Sequence, residues 1–359
     1  MRFDCVIRNG KIWDGENLFS ELQDVAIKDG KIAVIGNVVD ETELLFDAKG
    51  GIVSCGFVDI HMHMKGCCSD IFGIPAEIAS FPFGVTTAVE AWADKDGGVV
   101  LDNLLLDAFV FVGVNVVKNH ADLKNTEKLL SVYKNRAIGL KICFDRSNLA
   151  VVDETPLKEV CAYAQEKKLK VLVHTTGTPV PMQRVLEILN KGDICSHIFH
   201  GGEFTVADDD YVCLSYAKQK GIVLDNAMAG GVHTDFAVAK GAIEAGLLSD
   251  TISTDITRLS AFKRGGNYGM TMCISIMREL GVAENELFKA ITGSAAKSIG
   301  IEKIAGKLEV GRKADIAVIR YEHSPFKISD KWGNCVQSDY GYKNLLTIKN
   351  GNVVFRTNI

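Results

Sequence analysis

The chain has 359 residues, 47% of them hydrophobic and 24% charged, with a formal net charge of −5. That length holds one large domain and a small one, in the composition of an ordinary globular protein. No basic stripe marks nucleic acid as a partner, and no uncharged apolar run reaches the roughly 18 residues of a membrane span.

In chain order, Met1-Arg2-Phe3-Asp4 lacks an apolar core with a small-residue cleavage site, so no secretory leader is expected. Ten cysteines, most of them scattered singly, are expected to be reduced thiols packed as small core residues in a cytoplasmic protein. Cys67-Cys68 are adjacent and lack the spacing of a zinc knuckle. The first fifty residues read as β-structure. Asn9-Gly10 and Asp29-Gly30 each stand between short β-like runs, and such pairs are hairpin turn signals.

Gly56-Phe57-Val58-Asp59 then leads into Ile60-His61-Met62-His63. One residue between His61 and His63 puts both imidazoles on the same face of a strand, which is half of a zinc site. Asp59 is placed to accept a hydrogen bond from a ligand histidine, or to cap the strand end. From here strands alternate with helices. The segments 84–90, 109–117, 137–144, 170–174, 193–197, 221–225 and 251–255 read as buried strands, and 157–168, 181–189 and 234–244 as helices. About eight βα units predict an α/β fold, a closed (β/α)8 TIM barrel over residues 54–305.

The C-terminal ends of barrel strands converge on one face, and several of these runs end in a polar residue. Lys141 follows Ile138-Gly139-Leu140, His174 closes Lys170-Val171-Leu172-Val173, and His197 closes Asp193-Ile194-Cys195-Ser196. A charged lysine at a buried strand end is costly unless paired or neutralised. Burial near cations lowers its pKa, and the free amine then adds CO2 to give a carbamate able to bridge two metals. The alternative is a lysine paired with a carboxylate. Asp255, after Ile252-Ser253-Thr254, would ligate a metal and take a proton from the attacking water, or cap the following segment. His200, in the loop Phe199-His200-Gly201-Gly202, rivals His197 and is a candidate for binding substrate or supporting a ligand. His120, His233 and His323 stand in weaker contexts.

The last fifty residues return to the style of the first, with Ala314–Ile319 and then Leu346–Phe355 around Asn350-Gly351. Neither chain end buries a sheet face alone, so 1–53 and 306–359 are expected to pair as one small β-sandwich domain.

Together these motifs resemble the amidohydrolase superfamily over nearly the whole chain. Asn9-Gly10-Lys11-Ile12, Gly56 to His63, Gly84-Val85-Thr86-Thr87 and Gly306 to Asp315 carry the resemblance. Gly192 to Gly201 is similar to the dihydroorotase-like branch that includes N-acyl-D-amino-acid deacetylases, some of them labelled adenine deaminase. The resemblance implies two divalent metal ions, with His61 and His63 on one and His174 and His197 on the other. A carboxylated Lys141 would bridge them, and Asp255 would complete the first site and shuttle the proton. The histidine-rich set favours zinc over manganese, iron or cobalt.

Related sequences often carry an arginine just after the bridging lysine, suited to a substrate carboxylate. Here Cys143 and Phe144 follow, and the nearest arginine is Arg146. Asn226 to His233 also departs from the usual glycine-rich loop. The expected activity is hydrolysis of an amide-type C–N bond in a small molecule, a cyclic amide or an N-acyl amino acid. Related barrels often assemble as homo-oligomers. One rival is a mononuclear aminohydrolase that deaminates a heterocycle. It would place a glutamate where Thr175-Thr176-Gly177-Thr178 stands. The other is a non-catalytic relative, which would have lost ligands that are all present here.

Overall fold

The computed structural model describes residues 2–39, 41–263 and 268–357. Both ends of the chain build one eight-stranded sheet. Phe3–Trp13, Leu18–Lys28, Lys31–Gly36, Thr42–Asp47 and Ile52–Cys55 meet Ile316–Ser329, Cys335–Lys349 and Asn352–Arg356. The joint is Ile52–Cys55, parallel to Lys11–Trp13 and antiparallel to Ile316–Ile319. Val53, Ile316, Val318 and Ile348 bury there with Ile7 and Val25 in a core separate from that of the barrel. The ten cysteines are all unpaired thiols.

Asp29-Gly30 and Asn350-Gly351 turn hairpins with both residues left-handed, at φ 50° and 72° and at φ 50° and 81°. Asn9-Gly10 does not turn the chain. Asn9 is left-handed at φ 56°, and the register shifts between Ile7 and Gly10, yet the strand continues to Trp13. Its first half pairs with Thr42–Asp47 and its second with Ile52–Cys55, and a reversal would lose one of these partners. A Cβ on Gly10 would lie 2.3 Å from a Val53 methyl, so glycine serves close packing here.

Between the two ends, eight parallel strands run in sequential order. They are Phe57–Met62, Val85–Ala93, Asp107–Val114, Ala137–Cys143, Lys170–His174, Ile194–Ser196, Val223–Ala227 and Thr251–Ser253. The Met62–Ile256 bridge and the bonds from His63 N to Ile256 O (3.0 Å) and Asp255 N to His61 O (2.7 Å) join the first strand to the end of the eighth. Period-two alternation sorts the side chains. Val171, Val173, Leu224 and Ile252 pack outward with the helices, among them Leu157 and Val160 of the helix Thr155–Lys167. Val58, Ile60, Val89, Phe111, Leu172 and Ile194 form a separate apolar cluster. Lys141 and Cys143 share a parity and both line the cavity described below. A register shift between Asp59 and Met62 breaks that alternation in the first strand. It lets Ile60 join the apolar cluster while its neighbour His61 faces the cavity.

Candidate metal centre

The cavity at the C-terminal mouth of the barrel has a volume of about 300 Å³. The structure brings His61, His63, Lys141, His174, His197 and Asp255 together on its wall. His61, Lys141 and His174 sit within strands and His63 directly after one, and the ends of the strands are shaped to aim the other two. His197 comes directly after the strand Ile194–Ser196 and is left-handed at φ 62°. Asp255 lies two residues past Thr251–Ser253 at φ 47°. Left-handed backbone costs a non-glycine residue about 1 kcal/mol, and such strain persists where surrounding bonds impose it. Here they do. Asp255 N donates to His61 O, and the preceding Thr254 is held on three sides. Its N–H (3.1 Å) and hydroxyl (2.5 Å) donate to Asp59, and Tyr268 Oη donates to its carbonyl at 2.5 Å.

One group of donors gathers round Asp255. Its Oδ1 lies 3.4 Å from His61 Nε2 and 3.1 Å from His63 Nε2. Each ring is anchored through the opposite nitrogen, as metal-ligating imidazoles are. His63 Nδ1 meets Glu90 Oε1 at 3.1 Å, and His61 Nδ1 meets Ser196 Oγ at 2.9 Å. Ser196 Oγ in turn donates to Asp225 at 3.0 Å. The fully buried Asp225 also accepts from Thr251 Oγ1 (2.8 Å) and Ser253 Oγ (2.8 Å), so a polar layer underlies His61. Lys141 Nζ lies 3.3 Å from His61 Nε2.

A second group consists of three rings. His174 and His197 have centroids 4.5 Å apart, and His233 stands 5.0 Å from the first and 4.3 Å from the second. His197 Nδ1 donates to Ala227 O at 2.8 Å, which turns Nε2 toward the cavity. That Nε2 is buried and has no hydrogen-bond partner among the described residues.

Electrostatics agree with a cation-binding site. Burial pushes Lys141 down to about 8, and it has no ion-pair partner among the described residues. Burial, and then Lys141, hold His61 and His174 well below the usual histidine range, while burial, His233 and His174 do so for His197. Burial acts in the same direction on His63, but Asp255 and Glu90 outweigh it and raise that ring well above the ordinary value. A positive charge, proton or metal, is therefore favoured between those two carboxylates. Imidazole nitrogens and carboxylates converging with an orphaned buried nitrogen suit a divalent ion of the zinc type. The donor set fits the group.

Three expectations change. Asp59 reaches no imidazole. It accepts from the backbone of His61 at 3.3 Å and from Thr254, so it fixes the turn that carries Asp255. His200 is fully buried behind the cavity wall, with Nδ1 against Gly201 O at 3.3 Å. Arg146 pairs with Glu203 and lies over the Phe204 ring, half-exposed and off the wall. Glu90, Asp225 and His233 are the residues sequence reasoning passed over. Glu90 and Asp225 end two of the predicted strands, 84–90 and 221–225, which was the available signal. Cys68, of the vicinal pair, lines the cavity and donates to Met64 O at 3.3 Å.

Comparison with known proteins follows the same lines. The amidohydrolase family profile matches residues 111–354. A deacetylase of Agrobacterium fabrum is 29% identical over 331 residues, covering 85% of this chain and 80% of its own. The crystal structure of a dihydroorotase superposes with a TM-score of 0.84 at 22% identity, over 98% of this chain and 99% of that one. The crystal structure of an adenine deaminase gives 0.84 at 21% identity over the same shares. These two share the fold.

Proposed function

This chain belongs to the amidohydrolase family, metal-dependent hydrolases of amide-type C–N bonds, and from that premise we propose that it works with two zinc ions bridged by a carboxylated Lys141. His61 and His63 would hold one ion, His174 and His197 the other, and Asp255 would complete the first site. The observation that carries the reading is the convergence of His61 Nε2, His63 Nε2, Lys141 Nζ and Asp255 Oδ1, with His197 Nε2 left without a partner. When bound, such ions polarise the scissile carbonyl and lower the pKa of the attacking water toward neutrality.

The chain's own residues do the rest. Ser196 holds His61, and Glu90 holds His63, in the tautomer that presents Nε2. Asp255 takes the proton of the attacking water as the C–O bond forms, then returns it to the leaving nitrogen as the C–N bond breaks. Phe72 and Trp92 form an aromatic part of the wall, which suits a small apolar acyl group or ring. The deacetylase relative supports an N-acyl substrate. Zinc-loaded protein should release carboxylate and amine from a panel of N-acyl amino acids of both hands, or open cyclic amides. Ammonia release from adenine with no amide turnover would show the deaminase reading to be right instead.

Carboxylation has its own pH signature. The free amine of Lys141 adds CO2, forming the N–C bond of a carbamate and releasing one proton. Only the deprotonated amine reacts, and burial brings Lys141 down from the ordinary lysine value of 10.5 to about 8. The rate of reactivation by zinc and CO2, at constant dissolved CO2, is expected to climb through pH 7–8 and flatten above it. A rate that kept climbing toward pH 10 would mean an ordinary lysine.

A further inference from the structure

We propose that His233 is a third imidazole ligand to the cation held by His174 and His197, which makes that half of the centre a three-histidine site; this rests on the two-ion reading above. One ligand-capable nitrogen from each of the three rings falls within 4.8 Å of the others. The two loop rings are oriented alike. His233 Nδ1 is held by Thr176 Oγ1 at 2.9 Å, and His197 Nδ1 by Ala227 O at 2.8 Å. Both therefore direct Nε2 to the same space, where Asp255 Oδ2 lies 3.7 Å from one and 4.0 Å from the other.

With its Nδ1–H committed to a carbonyl, His197 Nε2 offers a lone pair that no hydrogen-bond donor meets among the described residues, which a cation would satisfy. Three histidines are a common zinc ligand set, and the bridging carbamate of the two-ion reading would supply the fourth ligand. Thr176 lies two residues after His174, so one strand end supplies both a ligand and the hydroxyl that orients a second.

The placement of His233 is imposed from a distance. Its loop, 228–235, is clamped by the turn between Ile316–Ser329 and Cys335–Lys349. Lys331 N donates to Gly231 O at 3.3 Å, Phe236 N donates to Asp330 Oδ2 at 2.8 Å, and Asn334 Nδ2 donates to Asp235 Oδ1 at 3.0 Å. The hairpin from the terminal sheet thus fixes a residue of the barrel's mouth. A solvated loop histidine would need no such support.

The test is metal retention. Wild type, His233→Gln and Thr176→Val are loaded with zinc or cobalt(II) and dialysed against graded chelator, and metal per chain is counted by mass spectrometry. Wild type should keep two ions. His233→Gln should keep one, with the second released at roughly 10–100-fold lower chelator, and the cobalt absorption of that site should change. Thr176→Val, which leaves the ring but frees its orientation, should fall between them and serves alone if His233→Gln does not fold. Wild-type retention of both ions in either folded variant overturns the proposal. Wild type that never holds a second ion would instead sink the two-ion reading beneath it.

Discussion

Lys141→Ala is expected to hold at most one divalent ion and to lose about 10³-fold in kcat/KM, ~4 kcal/mol of transition-state stabilisation. The reasoning starts from cost. The Lys141 side chain is buried, its Nζ faces His61, and no carboxylate pairs with it among the described residues. A structural lysine in that setting destabilises the fold, and removing it would raise stability and leave activity alone. A carbamate reverses the sign of the charge and turns the liability into a bridge. Chemical rescue separates these cases. Formate or acetate should restore part of the activity of Lys141→Ala by supplying the missing carboxylate in the space it leaves. Lys141→Gln, which fills that space, should not respond. An alanine variant within tenfold of wild type, carrying two ions, would exclude the bridge.

Asp255→Asn is expected to lower kcat by about 10²–10⁴-fold with little change in KM, the range of positioned general acid–base groups. Asparagine tolerates the left-handed backbone at this position (φ 47°) and keeps the bond from its N–H to His61 O, so the turn survives. What is lost is the proton acceptor and one anionic donor to the first ion, so metal content is counted beside the kinetics. Steady-state kinetics on the best substrate of the screen give the split. A rise in KM alone would assign Asp255 to substrate binding and leave proton transfer to another group. Asp59→Asn is a useful contrast, since Asp59 touches the site only through Thr254 and the backbone of His61.

Much of this was legible in the residues. Apolar runs marked all eight barrel strands, and polar residues at or near the ends of several of them marked six residues of the cavity wall. That works because strands of a barrel present their C-terminal ends to one mouth whatever lies between them. The misreadings have a common physical source. Asn9-Gly10 has the residues of a turn, but long-range pairing on both sides of it keeps the strand straight. Glu90 matters because Met62 and Glu90 are register partners, so it sits beside His63. Asp225 matters because the strands on either side of it place three hydroxyls, Ser196, Thr251 and Ser253, against it. His233 lies beyond local reading altogether, since its loop is positioned by contacts with Asp330 and Lys331, about a hundred residues on.

The most direct measurement is anomalous diffraction, at the zinc edge, from crystals of protein loaded with zinc and bicarbonate. Two peaks are predicted, one among His61, His63 and Asp255 and one among His174, His197 and His233, with density for a carboxylate extending from Lys141 Nζ between them. A single peak, or zinc bound away from these side chains with an unmodified Lys141, would contradict the two-ion centre.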